Sequence, residues 1–160
     1  MAKKIISIIP AVLVIFLIAA FTLQPGEASS ALTMRFVRVV AGINNRLNHT
    51  QADWSISFFL VRKFAHSFEY LAMGGAAVCC CLVWVRRHPY LVAVVFCAVV
   101  SICDQLSKIA VPGREFDITD IPFDVMGYLI GIMAFYIIRM EWKRHRMVQE
   151  ALMKESNRSI

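Results

Sequence analysis

A chain of 160 residues that is 59% hydrophobic and 18% charged, with a mean hydropathy of +0.63, carries too much apolar surface for an ordinary soluble domain of this size. One compact membrane domain is expected. The net charge of +6 and pI of about 9.3 come from Lys and Arg flanking apolar stretches, which topology and phospholipid explain, so no nucleic-acid partner is expected.

Four stretches are long enough to cross about 30 Å of hydrocarbon at about 1.5 Å per helical residue. They are 5–23, 64–85, 90–111 and 121–138. The fold class expected is an all-α integral membrane protein of four transmembrane helices, with an interfacial amphipathic helix in the first extracytoplasmic loop. In the first stretch Lys3 and Lys4 precede the apolar run and Gly26-Glu27-Ala28 resembles a cleavage site. Its length exceeds the usual apolar core of a signal peptide, about 7–15 residues, and a retained anchor is expected.

Residues 24–62 form the long extracytoplasmic connection. Within it Leu32, Phe36, Val40, Ile43 and Leu47 recur at helical spacing, with Arg35, Arg38, Asn45 and Arg46 on another face. That pattern reads either as a helix lying on anionic headgroups or as a short cap on the bundle. Trp54, Phe58 and Phe59 would anchor the return into the bilayer.

The stretch 64–85 is preceded by Lys63 and carries His66 and Tyr70 near its start. The stretch 90–111 is purely apolar only as far as Cys103, so a full crossing carries Asp104 and Lys108 into the outer part of the span. Around the start of 121–138 lie Arg114, Asp120 and Asp124. At about 100° per residue, Lys63, His66 and Tyr70 share an arc of about 60°, Asp104 and Lys108 are about 40° apart, and Asp120, Asp124, Gly127 and Gly131 again fall within about 60°. Each helix offers one polar stripe. A charged side chain in a bilayer costs at least about 2.5 kcal/mol, so such residues face partners or water and mark a functional site. A polar pocket open to the outer leaflet follows.

Local readings compete with function at several positions. Asp120 ahead of Ile121-Pro122 would cap the fourth helix, Tyr70 would sit in an aromatic belt, and Lys63 would snorkel to the interface. Gly127 and Gly131, like Gly74 and Gly75, read as small faces for helix packing. All five cysteines, Cys79, Cys80, Cys81, Cys97 and Cys103, fall within spans and read as small packing residues, with no disulfide framework.

The final residues, 139–160, read as a basic cytoplasmic tail in which Trp142 anchors at the interface. With four crossings, ten of the Lys and Arg residues lie on the side of the two termini and seven on the other. This bias places both termini in the cytoplasm of a multi-pass inner-membrane protein.

The spacing Lys63-x2-His66-x3-Tyr70-x3-Gly74, followed by Asp104, then Val111-Pro112-Gly113-Arg114, Asp120 and Gly127-x3-Gly131, resembles the VanZ-like family, named for a glycopeptide (teicoplanin) resistance protein. The resemblance spans about 63–131, while the first helix and the long loop match only in layout. Departures are Gln105 where the family commonly has an acidic residue, Lys108 where it has glutamine, and Asp124 where it has asparagine. The resemblance implies a small bacterial inner-membrane protein of the envelope, in some members lowering susceptibility to lipoglycopeptides. It implies no agreed reaction.

The residues themselves support three readings. In the first, Lys63, His66, Tyr70, Asp104, Arg114, Asp120 and Asp124 bind a lipid headgroup, a lipid-linked cell-wall precursor or the lipid of a drug, with Arg114 gripping phosphate or carboxylate bidentately. Its partners would be membrane lipids, the precursor or the lipoglycopeptide itself. In the second, the protein is a hydrolase or transferase acting on a phosphorylated headgroup, with His66, Asp104 and Asp120 as candidate catalytic groups. The third is a small ion-coupled transporter, disfavoured because no inverted repeat or broken helix is evident. No cofactor is expected. A metal variant would use His66, Glu69, Asp104, Asp120 and Asp124, but Glu69 projects at least about 60° from His66 and neither an H-E-x-x-H nor a paired Glu-x-x-His pattern appears, so no metal is expected.

Overall fold

The computed structural model describes residues 2–48 and 54–156. These form five helices: α1 (Ala2–Thr22), α2 (Gly26–Asn48), α3 (Trp54–Trp84), α4 (Pro89–Lys108) and α5 (Asp120–Ser156). All but α2 are long and apolar enough to cross a membrane. The protein is a multi-pass membrane protein, all-α as its composition implies.

Helix boundaries differ from the apolar spans for identifiable reasons. Residues 54–62, expected within the connection, contain no Gly or Pro and continue α3 toward its N-terminus; 49–53, also in that connection, lie outside the described residues. The third crossing stops at Lys108 rather than at 111. There the chain tightens into turns, with the amides of Ile109, Ala110 and Val111 donating to the carbonyls of Leu106, Ser107 and Lys108. Pro112 disfavours helix at Val111, and Gly113 takes a φ of 72°, which a side chain would strain. By contrast α5 runs on to Ser156, because 132–156 holds neither Gly nor Pro and is rich in good helix formers.

Helix α3 is the hub, packing most extensively on α5 and also on α1, α2 and α4. The α3–α5 seam is close because glycines line it. A Cβ at Gly127 would collide with the Ser67 carbonyl, one at Gly131 with that of Leu71, and one at Gly74 with the Tyr128 backbone. Gly75 differs: a Cβ there would meet nothing. The small faces read from the sequence thus serve packing at Gly74, Gly127 and Gly131 but not at Gly75.

Beyond the seam, Ile18, Tyr70, Met73, Ala77, Val78, Ala93, Cys97, Tyr128 and Ile132 form a thin core between the helices. Large side chains such as Phe16, Phe68, Leu91 and Ile138 face outward. In water that surface would be a liability, whereas in lipid it is the expected outer coat. Cys97 is buried in this core, while Cys103 is exposed; every cysteine is free.

Helix α2 buries Val37 and Ala41 and packs on α3. Its expected apolar stripe points elsewhere: Leu32, Phe36, Val40 and Ile43 all remain exposed, and the side chain of Leu47 lies outside the described ones. The helix therefore covers the bundle with one face and presents a second apolar face to its surroundings.

Candidate functional site

The polar stripes of α3, α4 and α5 meet at one end of the bundle, where the first halves of α3 and α5 lie beside the last turns of α4 and α1. Asp120 stands at the centre. Both of its oxygens are taken by ammonium groups, Oδ1 by Lys63 and Oδ2 by Lys108 at 2.9 Å. Its carboxylate therefore pairs with charge rather than capping α5. Lys63 is 1% exposed and also donates to Asp117 at 2.8 Å and to Thr119 at 2.6 Å, so it is a fully engaged internal cation and not a snorkelling anchor. Lys108 donates as well to Gln105 Oε1 at 2.9 Å and lies 3.4 Å from His66 Nε2.

Four acidic residues and two lysines would be ruinous in hydrocarbon if left unpaired, since each isolated buried ion costs several kcal/mol. Here each lysine is shared among several acceptors. In the loop before α5, partial burial opposes ionisation of Asp117. The bonds from Lys63 and from the amide and hydroxyl of Thr119 nevertheless hold its carboxyl well below the usual carboxylate range.

A second layer lies toward the core. Asp124 is fully buried; its Oδ2 accepts from Ser101 at 2.8 Å and from Gln105 at 3.5 Å. Asp104 Oδ1 accepts from the hydroxyl of Thr22 at the end of α1. His66 sits between two carboxylates, with Nε2 3.6 Å from Asp120 Oδ2 and Nδ1 3.4 Å from Asp124 Oδ1. His66, Asp104 and Asp124 each offer one ligand atom within 4.8 Å of the other two. Tyr70 is fully buried, and its hydroxyl, like His66 Nδ1, Asp104 Oδ2 and Asp124 Oδ1, has no hydrogen-bond partner among the described residues. An aromatic belt position is thereby ruled out for it.

Of the residues singled out from the sequence, Lys63, His66, Tyr70, Asp104, Asp120 and Asp124 converge. Arg114 lies at the edge with a different task. Its Nε donates to the Gln24 carbonyl at 3.3 Å and its Nη2 to that of Phe21, so it fastens the α1–α2 corner. The Gly26 amide donates to Pro112 O at 3.2 Å, and a Cβ on Gly26 would strike Gly113 O. What the Pro-Gly turn approaches is therefore the start of α2. Glu69 stays outside the trio of potential ligands and lines the cavity beside it.

Ser101, Gln105 and Thr22 belong to the site but were not among the site residues read from the sequence, where Gln105 figured only as a departure from the family pattern. For two of them the signal was present: 101, 104, 105 and 108 are spaced i, i+3, i+4 and i+7, one face of α4. Thr22 gives no such signal, because it ends an apolar run and only the packing of α1 on α4 brings it to Asp104.

A cavity of about 250 Å³ opens between α1, α2 and α3 against this site. Its apolar walls include Phe21, Leu32, Phe36 and Val61, and its polar lining includes Arg62, His66, Glu69 and Arg114. Arg62 and Arg114 also line a second cavity, of about 620 Å³, with Phe58, Phe59 and Asp117. Burial, and then the neighbouring charge of Arg62, pull the Arg114 guanidinium below its ordinary value. Two guanidiniums lining the same largely apolar cleft offer a place for an anion.

No curated protein and no solved structure matches the chain. The model of one protein family, VanZ/LLP1, matches residues 7–139, taking in the four apolar helices down to the start of the basic tail. With that match covering most of its length, the chain belongs to the VanZ/LLP1 family.

Proposed function

We propose that this VanZ-like protein acts in the bacterial inner membrane, with both termini cytoplasmic, and binds the phosphorylated headgroup of a lipid or lipid-linked cell-wall precursor at the outer leaflet. The observation that carries the reading is the cavity whose apolar walls include Phe21, Leu32, Phe36 and Val61 and whose lining also holds Arg62 and Arg114. An acyl chain suits the walls and an anion suits the paired guanidiniums. Arg62 takes over the role first assigned to Arg114, since two of the five donors of Arg114 are committed to backbone carbonyls. Occupation of that cleft by the lipid of a teicoplanin-type drug, or protection of the precursor, would lower susceptibility to lipoglycopeptides.

Binding of an anionic phospholipid to the protein in nanodiscs tests this directly. Arg62→Ala should weaken binding at least about tenfold, in line with about 1.5–3 kcal/mol for a bond to a charged group, and leave zwitterionic lipid unaffected. Equal binding by wild type and by Arg62→Ala combined with Arg114→Lys would sink the reading. In a sensitised bacterium at equal membrane levels, wild type should raise the inhibitory concentration of teicoplanin-type drugs more than that of vancomycin, and Arg62→Ala should not.

A second reading, hydrolysis or transfer at the same headgroup, is favoured by the position of His66 between Asp120 and Asp124. A base needs such orientation. Loss of turnover in His66→Ala with headgroup binding retained would select it.

A further inference from the structure

We propose that His66 Nδ1, Asp104 Oδ2 and Asp124 Oδ1 form a binding site for one divalent first-row metal cation, with Mn²⁺ and Zn²⁺ the best matches. Each residue comes from a different helix, α3, α4 and α5, and one ligand atom of each, a ring nitrogen of His66 and a carboxylate oxygen of Asp104 and of Asp124, lies within 4.8 Å of the other two. The residues are 8%, 7% and 0% exposed, yet His66 Nδ1, Asp104 Oδ2 and Asp124 Oδ1 have no hydrogen-bond partner among the described residues. Buried polar atoms are nearly always satisfied, so three orphaned atoms on residues whose ligand atoms cluster this closely point to a ligand between them.

The rest of each side chain is already fixed. Asp104 Oδ1 is held by Thr22, and Asp124 Oδ2 by Ser101 and Gln105, so each carboxylate keeps one restrained oxygen and one free one. His66 turns Nε2 toward Asp120 Oδ2 at 3.6 Å. Metal on Nδ1 requires the tautomer with its proton on Nε2; Asp120 Oδ2 can accept that proton, as the usual outer partner of a metal-bound histidine does, provided the Lys108 ammonium beside Nε2 keeps its protons on Asp120 and Gln105. Lys108 stands near, 3.9 Å from Asp104 Oδ2 and 3.4 Å from His66 Nε2, with two of its three donors on Asp120 and Gln105.

Charge agrees with geometry. Among the buried ions Asp104, Asp120 and Asp124 outnumber Lys63 and Lys108. A bound cation offsets that negative excess. A nitrogen and two carboxylate oxygens suit Zn²⁺ or Mn²⁺ rather than a thiolate-seeking ion. Three protein ligands leave a coordination position free, and the cavity reaches the site at His66 and Thr22. No spacing motif announces the site, because no helix supplies two ligands.

The proposal stands apart from headgroup binding and is tested with metal alone. The full-length chain, purified in detergent, stripped with chelator and freed of any affinity tag, is titrated with Mn²⁺ and read by electron paramagnetic resonance and thermal unfolding. Mn²⁺ is used because the thiols of Cys79, Cys80 and Cys81 favour softer ions. One Mn²⁺ per chain and a raised unfolding temperature are expected, with affinity at least about tenfold weaker in Asp124→Asn and in Asp104→Asn. These isosteric changes keep the bonds from Ser101 and Thr22, and unchanged circular dichroism verifies their folding. Absence of stoichiometric Mn²⁺ in the wild type would overturn the site and leave protons to neutralise the cluster. Binding that is equal in wild type and in whichever of the two variants folds would overturn it equally.

Discussion

Lys108 Nζ lies 2.9 Å from Oδ2 of Asp120, and neither side chain has any solvent-exposed surface. The pair joins the end of α4 to the first residue of α5 and bridges the irregular loop between them. Because Lys63 takes the other oxygen of Asp120, one carboxylate locks three elements together. The consequence is an asymmetry: removing one member strands the others in a dry environment, whereas removing charges in matched pairs does not.

That asymmetry is measurable. Lys108→Met should destabilise the protein by about 3–5 kcal/mol in detergent unfolding, as expected when a buried pair loses one partner. Adding Asp120→Asn should recover part of the loss, giving a coupling energy of about 0.5–3 kcal/mol in a double-mutant cycle. Strictly additive losses would mean that the pair does not act as a unit.

The α3–α5 seam makes opposite predictions for neighbouring glycines. In Gly131→Ala the new methyl meets the Leu71 carbonyl, a backbone atom that cannot swing aside, and about 1–3 kcal/mol of stability should be lost. Gly75→Ala has open space and should be neutral or stabilising by up to about 1 kcal/mol through helix propensity. Thermal unfolding of the two variants side by side decides it, and equal effects would refute the close approach.

Thr22 ties α1 to the cluster through Asp104. In Thr22→Val the shape is kept but Asp104 Oδ1 loses its donor, so about 1–3 kcal/mol of stability should go. Hydrogen exchange should report the loss first at the C-terminal turn of α1. Unchanged protection there would show that packing alone seats the helix.

Asp117 governs an acid transition. Its carboxyl titrates below the ordinary value in the folded protein, because Lys63 and Thr119 stabilise the anion. Its contribution is therefore complete above the unfolded value of about 4 and is lost as pH falls toward the lower folded value. The difference in unfolding temperature between wild type and Asp117→Asn should be constant from pH 7 to about pH 5 and shrink below about pH 4. A difference that persists unchanged to about pH 3 would contradict the ion pair.

The polar stripes were legible in the sequence because helical periodicity alone aligns Lys63 with His66 and Tyr70, Asp104 with Lys108, and Asp120 with Asp124. Apolar runs of membrane length, and the charges embedded in them, determined the all-helical class and the helices that carry the site. Periodicity is a property of one helix and says nothing about which neighbour a face meets. Only tertiary packing brought Thr22 to Asp104, gave both oxygens of Asp120 to lysines, and turned Arg114 onto the carbonyls of Phe21 and Gln24. The same holds for His66, Asp104 and Asp124: three single ligands on three helices are ordinary buried residues in sequence, and become a cluster only where close glycine contacts seat α5 against α3 and α4 closes over them.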